Sequence, residues 1–187
     1  MLLYVASENG DVATVQRLVA AGVALNEPTL VHNFRTLCES DVMQQDGWTP
    51  ISIASKCGHA VVVQKLIDAG ANMNTVDERG QTPLRLAFDN DHLHIMEALM
   101  NAGADVNICD NNGQGPMYRA TKKGHLPVVE ALIAAGANID QEDNYGQTPL
   151  HRAAANGHHL VVKTLITAGA DINEKDMGSR EWSSGSR

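Results

Sequence analysis

The stretch GQTPL at Gly146–Leu150 decides how the rest of this 187-residue chain is interpreted. The identical stretch begins at Gly80, and looser copies begin at Gly47 and Gly113, so these glycines are spaced by 33 residues. A strict period of this length indicates stacked structural repeats, in which each repeat shares its core with its neighbours.

Each copy of the stretch predicts the start of a first helix. Its threonine suits the N-cap position, because the hydroxyl can accept a bond from an amide that has no partner inside the helix, and the proline suits the first helical position. Gly115 replaces the threonine in the third copy, and this helix is expected to form because glycine caps only slightly less well. The first helices are expected to end near Gly58, Gly124 and Gly157, or near Asp91 in the second copy, where a left-handed residue can close the helix.

A second helix follows in each copy. Its apolar residues come in pairs one turn apart, as Val128-Val129 and Leu132-Ile133 do, and this is the spacing of an apolar helix face. A glycine then ends the helix, and a polar link leads to the next copy. Two short helices cannot bury a core alone, so the copies must share one.

The pattern resembles the ankyrin repeat, whose signature is similar to D-x-x-G-x-T-P-L-H-x-A-A-x-x-G-H followed by V-V-x-x-L-L-x-x-G-A-x-x-N. The last copy, from Asp143 to Asn173, departs little from this signature, and the resemblance covers nearly all of residues 1–177. It implies an all-α repeat solenoid, an ankyrin-repeat stack of helix-turn-helix units with projecting β-hairpin loops. It also implies that protein partners bind the concave face, which the hairpin tips and the first helices form.

The period divides the chain into repeats with one irregularity. We assign a partial N-terminal repeat to 1–26, regular repeats to 46–78, 79–111, 112–144 and 145–177, and a tail to 178–187. The tail is polar apart from Trp182, a composition typical of disorder or of a linker. The partial repeat lacks its threonine-proline start, which favours a fragment of a longer array over a degenerate natural start.

Segment 27–45 interrupts the period. Gly22 and Gly70 are 48 residues apart, fifteen more than the period. The extra residues are predicted to form a tolerated loop insertion or a short helix, since the cost of closing a loop grows slowly with its length. The alternative is a finger specific for one partner, because functional elements concentrate on loops that a rigid scaffold holds.

Composition narrows the classes of partner. The chain carries 14 Lys and Arg against 22 Asp and Glu, a net charge of −8, which argues against nucleic-acid binding. No apolar run approaches the roughly 20 residues that cross a bilayer, so no membrane insertion is expected. Cys38, Cys57 and Cys109 are odd in number and widely spaced, which favours reduced thiols in an intracellular protein. We expect a monomer in the cytoplasm, with the nucleus as the alternative location.

The sequence offers few groups for chemistry. His59, His92, His125 and His158 recur with the repeat period and are expected to bond to the backbone near the turn between helices. The histidines are not accompanied by cysteines or carboxylates at zinc-ligand spacing. No nucleophile lies in an elbow motif, and no glycine-rich loop has the spacing that cradles phosphate. We therefore expect no metal, no cofactor and no enzymatic activity.

The candidate contacts for a protein partner are surface positions whose residue type differs between repeats, while the capping, turn and apolar residues recur. Carried over from the resemblance, those at the tips and on the first helices are Trp48, Lys56, Glu78, Arg79, Gln81, Asp89, Asn90, Asn111, Asn112, Gln114, Lys122, Lys123, Asn144, Tyr145, Gln147 and Asn156. Trp48 and Tyr145 are the best anchors, because aromatic residues are enriched among binding hot spots. Packing against the 27–45 insertion is the alternative for Trp48. Lys122 and Lys123 form a basic spot with Arg119, for which a solvated helix face is the alternative.

Asn107 is a candidate for modification. With Leu99, Asp105 and Val106 it fits a loose pattern that, in ankyrin proteins, resembles the target of an asparaginyl hydroxylase. The alternative is that Asn107 holds the hairpin, as the asparagines at the same repeat position do.

These observations together predict a non-catalytic protein-protein interaction module, an ankyrin-repeat scaffold or adaptor with a protein partner. The alternative is a structural spacer or regulatory ankyrin segment of a larger channel, cytoskeletal or ubiquitin-ligase adaptor protein.

Overall fold

The computed structural model of the protein describes residues 1–27 and 47–174, which form two compact units. The first unit spans Met1–Asp105 and the second Val106–Arg187. The predicted insertion at 27–45, apart from its first residue, and the predicted tail at 178–187 lie outside the described residues.

All regular structure in the described residues is helical, and the helices come in consecutive pairs. The described part of the first unit contains α1 (Leu2–Glu8), α2 (Val12–Ala20), α3 (Pro50–Cys57), α4 (Ala60–Asp68), α5 (Pro83–Asp89) and α6 (Leu93–Asn101). The described part of the second unit contains α7 (Pro116–Lys123), α8 (Leu126–Ala134), α9 (Pro149–Ala155) and α10 (His159–Thr167). The predicted all-α repeat architecture is confirmed.

The projecting loops between the described helix pairs are not resolved as strands. They form turns, and residues 1–27 and 47–174 contain no β-strand where β-hairpins were expected. At one tip the facing residues share a single backbone bond, from Asp77 N–H to Gln81 C=O at 3.2 Å, and Gly80 N–H folds back to Asp77 C=O. The Asp77 side chain accepts bonds from the amides of Arg79 and Gln81, so these amides are not available for a ladder.

The helix starts follow the predicted capping chemistry. The hydroxyls of Thr49, Thr82 and Thr148 each accept a bond from the amide three residues later, at 3.4, 3.2 and 3.4 Å. His151 completes a capping box, because its ring accepts a bond from the Thr148 amide at 3.1 Å. Helix α7 forms behind Gly115 without a side-chain cap, as expected.

The helix ends also match the expectation. Gly58 and Gly124 take left-handed conformations at the ends of α3 and α7, with φ of +83° and +71°. After α5 the left-handed residue is Asp91, at φ +61°, the one residue other than glycine with a positive φ in the described ranges. Asp91 carries the strain that the other repeats avoid by using glycine.

The core of each unit lies between successive helix pairs. In the first unit α1, α3 and α5 pack side by side, as do α2, α4 and α6; in the second unit α7 packs on α9 and α8 on α10. Leu66 and Leu99 in the first unit, and Leu132 and Leu165 in the second, have no exposed surface. These leucines occupy the same position of successive repeats, which is how short helices share one core.

A hydrogen bond between a histidine ring and a backbone carbonyl connects successive helix pairs within each unit. His59 Nε2 bonds to Glu8 C=O at 2.8 Å, and His92 Nε2 bonds to Lys56 C=O at 3.0 Å. His158 Nε2 bonds in the same way to Lys122 C=O at 3.1 Å in the second unit. The expectation that these histidines bond to the backbone is confirmed at the three positions.

The fifteen extra residues do not disturb this contact. His59 and Glu8 are 51 residues apart in sequence, whereas His92 and Lys56 are 36 apart, yet the two bond lengths differ by only 0.2 Å. The helix pairs on either side of the insertion therefore make the same histidine contact as the pairs that follow each other without an insertion.

Candidate protein-binding surface

A buried aspartate organises each described loop tip. In the first unit, Asp77 is 6% exposed, and its Oδ1 accepts bonds from the amides of Arg79 at 2.9 Å and Gln81 at 2.8 Å. In the second unit, Asp110 Oδ1 accepts bonds from the amides of Asn112 and Gln114. Asp143 Oδ1 accepts bonds from the amides of Tyr145 and Gln147. The carboxylate fixes the backbone of the tip, while side chains such as Glu78 and Arg79 stay exposed.

The two tips of the second unit are bonded to each other. The Asn144 amide donates to Asn112 C=O at 3.0 Å, and the Asn144 side chain donates to Asn111 C=O at 2.9 Å. Tyr145 follows directly and leaves 66% of its surface exposed. The second unit therefore presents an aromatic side chain on a backbone that is already ordered.

A polar cluster lies behind this tip. Arg152 Nε on α9 donates to the Tyr118 hydroxyl on α7, and the guanidinium carbon lies 5.4 Å from the centre of the Tyr118 ring. Arg152 Nη2 lies 3.9 Å from Oδ2 of Asp143, the aspartate that fixes the Tyr145 tip. Burial raises the pKa of Tyr118 to about 12, and the Asp143 carboxylate adds to this shift while Arg152 opposes it. Tyr118 and Arg152 thus link α7, α9 and the Tyr145 tip, although the spacing of residues in the sequence did not indicate this contact.

Trp48 requires a correction. The sequence proposed it as an exposed anchor, but it is 1% exposed and belongs to a buried cluster with Tyr4, Ile53 and Leu86. Lys56 Nζ lies 4.5 Å from the centre of its ring, so the ammonium contacts the indole. Trp48 is a core residue of the first unit and offers no surface to a partner in this structure.

The other candidate contacts lie at the surface of their units. Those with exposed side chains are Glu78, Arg79, Asn90, Asn111, Asn112, Lys122, Lys123, Asn144, Tyr145 and Asn156, and those half-buried are Lys56, Gln81, Asp89, Gln114 and Gln147. Asp89 is engaged within its own helix, because its Oδ2 accepts a bond from Arg85 Nε at 2.8 Å. Contact of any of these residues with a partner stays a prediction.

Asn107 has a structural role in the second unit. Its Oδ1 accepts a bond from the Asn138 amide at 2.7 Å, one repeat further on. In the first unit, Asn74 Oδ1 likewise accepts a bond from the Asp105 amide at 2.9 Å. Asn107 is exposed, and its hydroxylation stays a prediction.

The described residues contain few features of other classes of site. In residues 1–27 and 47–174, no three His, Cys, Asp or Glu side chains are grouped so that they could hold a metal ion. None of the helices in these ranges has the length and apolar character needed to cross a bilayer.

Sequence reasoning assigned no role to the buried groups that support the surface. Asp77, Asp110 and Asp143 precede Gly80, Gly113 and Gly146 by three residues, a recurrence visible in the sequence. The pairing of Tyr118 with Arg152 has no such signal, because it joins two repeats at positions where the residue type varies.

A family model described as ankyrin repeats (3 copies) matches residues 2–110 and 94–176. The chain belongs to the ankyrin-repeat family, as its period and helix pairs indicate. A search of curated proteins gave no match.

Proposed function

We propose that this chain is a non-catalytic scaffold or adaptor that binds a protein partner through loop tips and first helices. Ankyrin repeats are generally protein-protein interaction modules, and the family is typically non-catalytic. The expectation of a cytoplasmic protein belongs to the same proposal, and the odd number and wide spacing of Cys38, Cys57 and Cys109 support a reducing compartment.

The observation that carries the proposal is Tyr145, 66% exposed on the hydrogen-bonded tip of the second unit. Tyrosine is enriched among the residues that dominate binding at protein interfaces. The tip backbone is held by Asp143 and by the bonds from Asn144, so little conformational entropy is lost when a partner binds. Asn111 and Asn112 supply polar groups beside it.

The first helices of the second unit extend this surface. Lys122 and Lys123 are exposed in the last turn of α7, and Asn156 is exposed at the end of α9, which packs on α7. In the first unit the corresponding side chains are Glu78 and Arg79 at the tip and Asn90 at the end of α5. Different side chains on a recurring frame are what selective recognition needs.

The proposal is tested by capture of partners with the full chain and with a variant that carries Tyr145→Ala and Asn112→Ala. Both residues are exposed, and truncating Asn112 leaves its carbonyl bond to Asn144 intact, so the fold should persist. The control is Leu160→Ala, since Leu160 is 55% exposed on α10, a second helix. A partner that is lost only with the tip variant supports the proposal. Equal capture by all forms would show that the tips are not the binding surface.

A further inference from the structure

The C-terminal end of the second unit exposes half of an inter-repeat interface. Leu150, Ala154, Val162, Ile166 and Ile172 line a groove of about 290 Å³ there. One repeat earlier, the residues that match the first three of these are Met117, Thr121 and Val129, which are 2%, 0% and 0% exposed. In the last described helix pair, α9 and α10, Leu150 and Val162 are half-buried and Ala154 is exposed.

Two further residues show that no described part of the chain covers this face. Ile172 is 66% exposed. A Cβ built on Gly157 would meet no described atom within 4 Å, whereas one built on Gly124 would lie 2.6 Å from the His158 ring. The groove is therefore the continuation of the interface that α7 and α8 form with α9 and α10.

We propose that residues 175–187 of this chain bind this groove and cap the repeat stack, with Trp182 as the apolar anchor. These thirteen residues follow Glu174, which itself lines the groove, so the segment starts beside its binding site. Trp182 lies eight residues after Glu174, and an extended chain of that length reaches about 26 Å. Helix α9, with seven residues, is only about 10 Å long.

The composition of the segment suits the groove. Met177 and Trp182 are its large apolar residues, and a tryptophan can bury about 150–250 Å² against an apolar surface. Asp171 and Glu174 also line the groove, and Arg180 lies two residues before Trp182. The end repeats of a solenoid need a polar outer face for solubility, and a bound segment rich in serine would supply it.

The test uses the full chain labelled with 5-fluorotryptophan, and Trp182→Phe assigns the two fluorine resonances. The measured quantity is the solvent isotope shift, the change in the Trp182 fluorine chemical shift between H2O and D2O. If the segment is bound, this shift falls to less than half of its value in a free peptide of residues 175–187. Ile172→Asp should restore the free-peptide value, because it places a charge in the groove at a side chain that is exposed before binding. Leu160→Asp is the matched control, since Leu160 is 55% exposed on the same helix pair but does not line this groove.

Two outcomes would overturn the proposal. A Trp182 isotope shift equal to that of the peptide and indifferent to Ile172→Asp would mean that the segment does not bind the groove. A reduced shift that appears only as the protein concentration rises would mean that a second copy supplies the contact. Circular dichroism of each variant confirms that α9 and α10 persist.

Discussion

Replacing Gly124 by alanine tests the contact between successive helix pairs. Gly124 has φ +71°, and an added Cβ would lie 2.6–2.8 Å from three atoms of the His158 ring. An alanine in the left-handed region costs roughly 1–2 kcal/mol. The ring must also move, which breaks the bond from His158 to Lys122 C=O at 3.1 Å and removes about 1 kcal/mol more. The expected loss in the free energy of unfolding is therefore about 2–3 kcal/mol.

Gly157→Ala is the matched control for this change. Gly157 has the same φ of +71° and the same place after a first helix, but no described atom lies within 4 Å of its added Cβ. Its substitution should cost only the backbone term, roughly 1–2 kcal/mol. Urea unfolding of both variants at constant m-value gives the two free energies.

A double-mutant cycle with His158→Ala completes the experiment. Because Gly124→Ala acts partly through His158, the two changes should be less than additive, whereas Gly157→Ala and His158→Ala should couple less. Equal destabilisation by Gly124→Ala and Gly157→Ala, together with additivity in both cycles, would refute the idea that glycine is needed there to admit the histidine.

Three further changes and one modification probe the core, the tip and the polar cluster. Leu132→Ala should lower the free energy of unfolding by about 2–5 kcal/mol, since Leu132 has no exposed surface, and a loss below about 1 kcal/mol in urea would place the core elsewhere. Asp143→Ala should cost about 2–4 kcal/mol and speed amide exchange at Tyr145, because the carboxylate bonds two tip amides; unchanged exchange would contradict this. The raised pKa of Tyr118 predicts stability that is complete below about pH 10 and is lost as the pH rises towards 12, a decline that Tyr118→Phe should make shallower in unfolding experiments. Hydroxylation of Asn107 predicts the mass of one added oxygen on its peptide from native cells, and its absence there would remove that candidate.

Local chemistry made the helix boundaries predictable. The threonine caps, the proline starts and the left-handed glycines each act within four residues, so their effect could be read from the chain. Asp91 fits the same logic, since aspartate tolerates a positive φ better than most residues, and it does so here at +61°. These features mark the first helices of the regular repeats, and the period then predicts how the helices pair.

Side-chain burial depended on residues that are distant in sequence. Trp48 occupies a slot that holds glutamine in the other repeats, which suggested an exposed position, but Tyr4 and Leu86 from neighbouring helix pairs enclose it. The contact of Arg152 with Tyr118 likewise joins residues 34 apart. No periodicity predicts such pairs, because each depends on side chains that differ between repeats.

The chain order of the histidine–carbonyl hydrogen bonds has a consequence for protein synthesis. The carbonyl groups of Glu8, Lys56 and Lys122 each leave the ribosome before the histidine that bonds to them. Each of these three helix pairs thus finds the acceptor for its histidine already made when it emerges. Assembly within each unit can therefore proceed in the order of translation. A helix pair can bond to the previous pair as soon as its histidine has been synthesised.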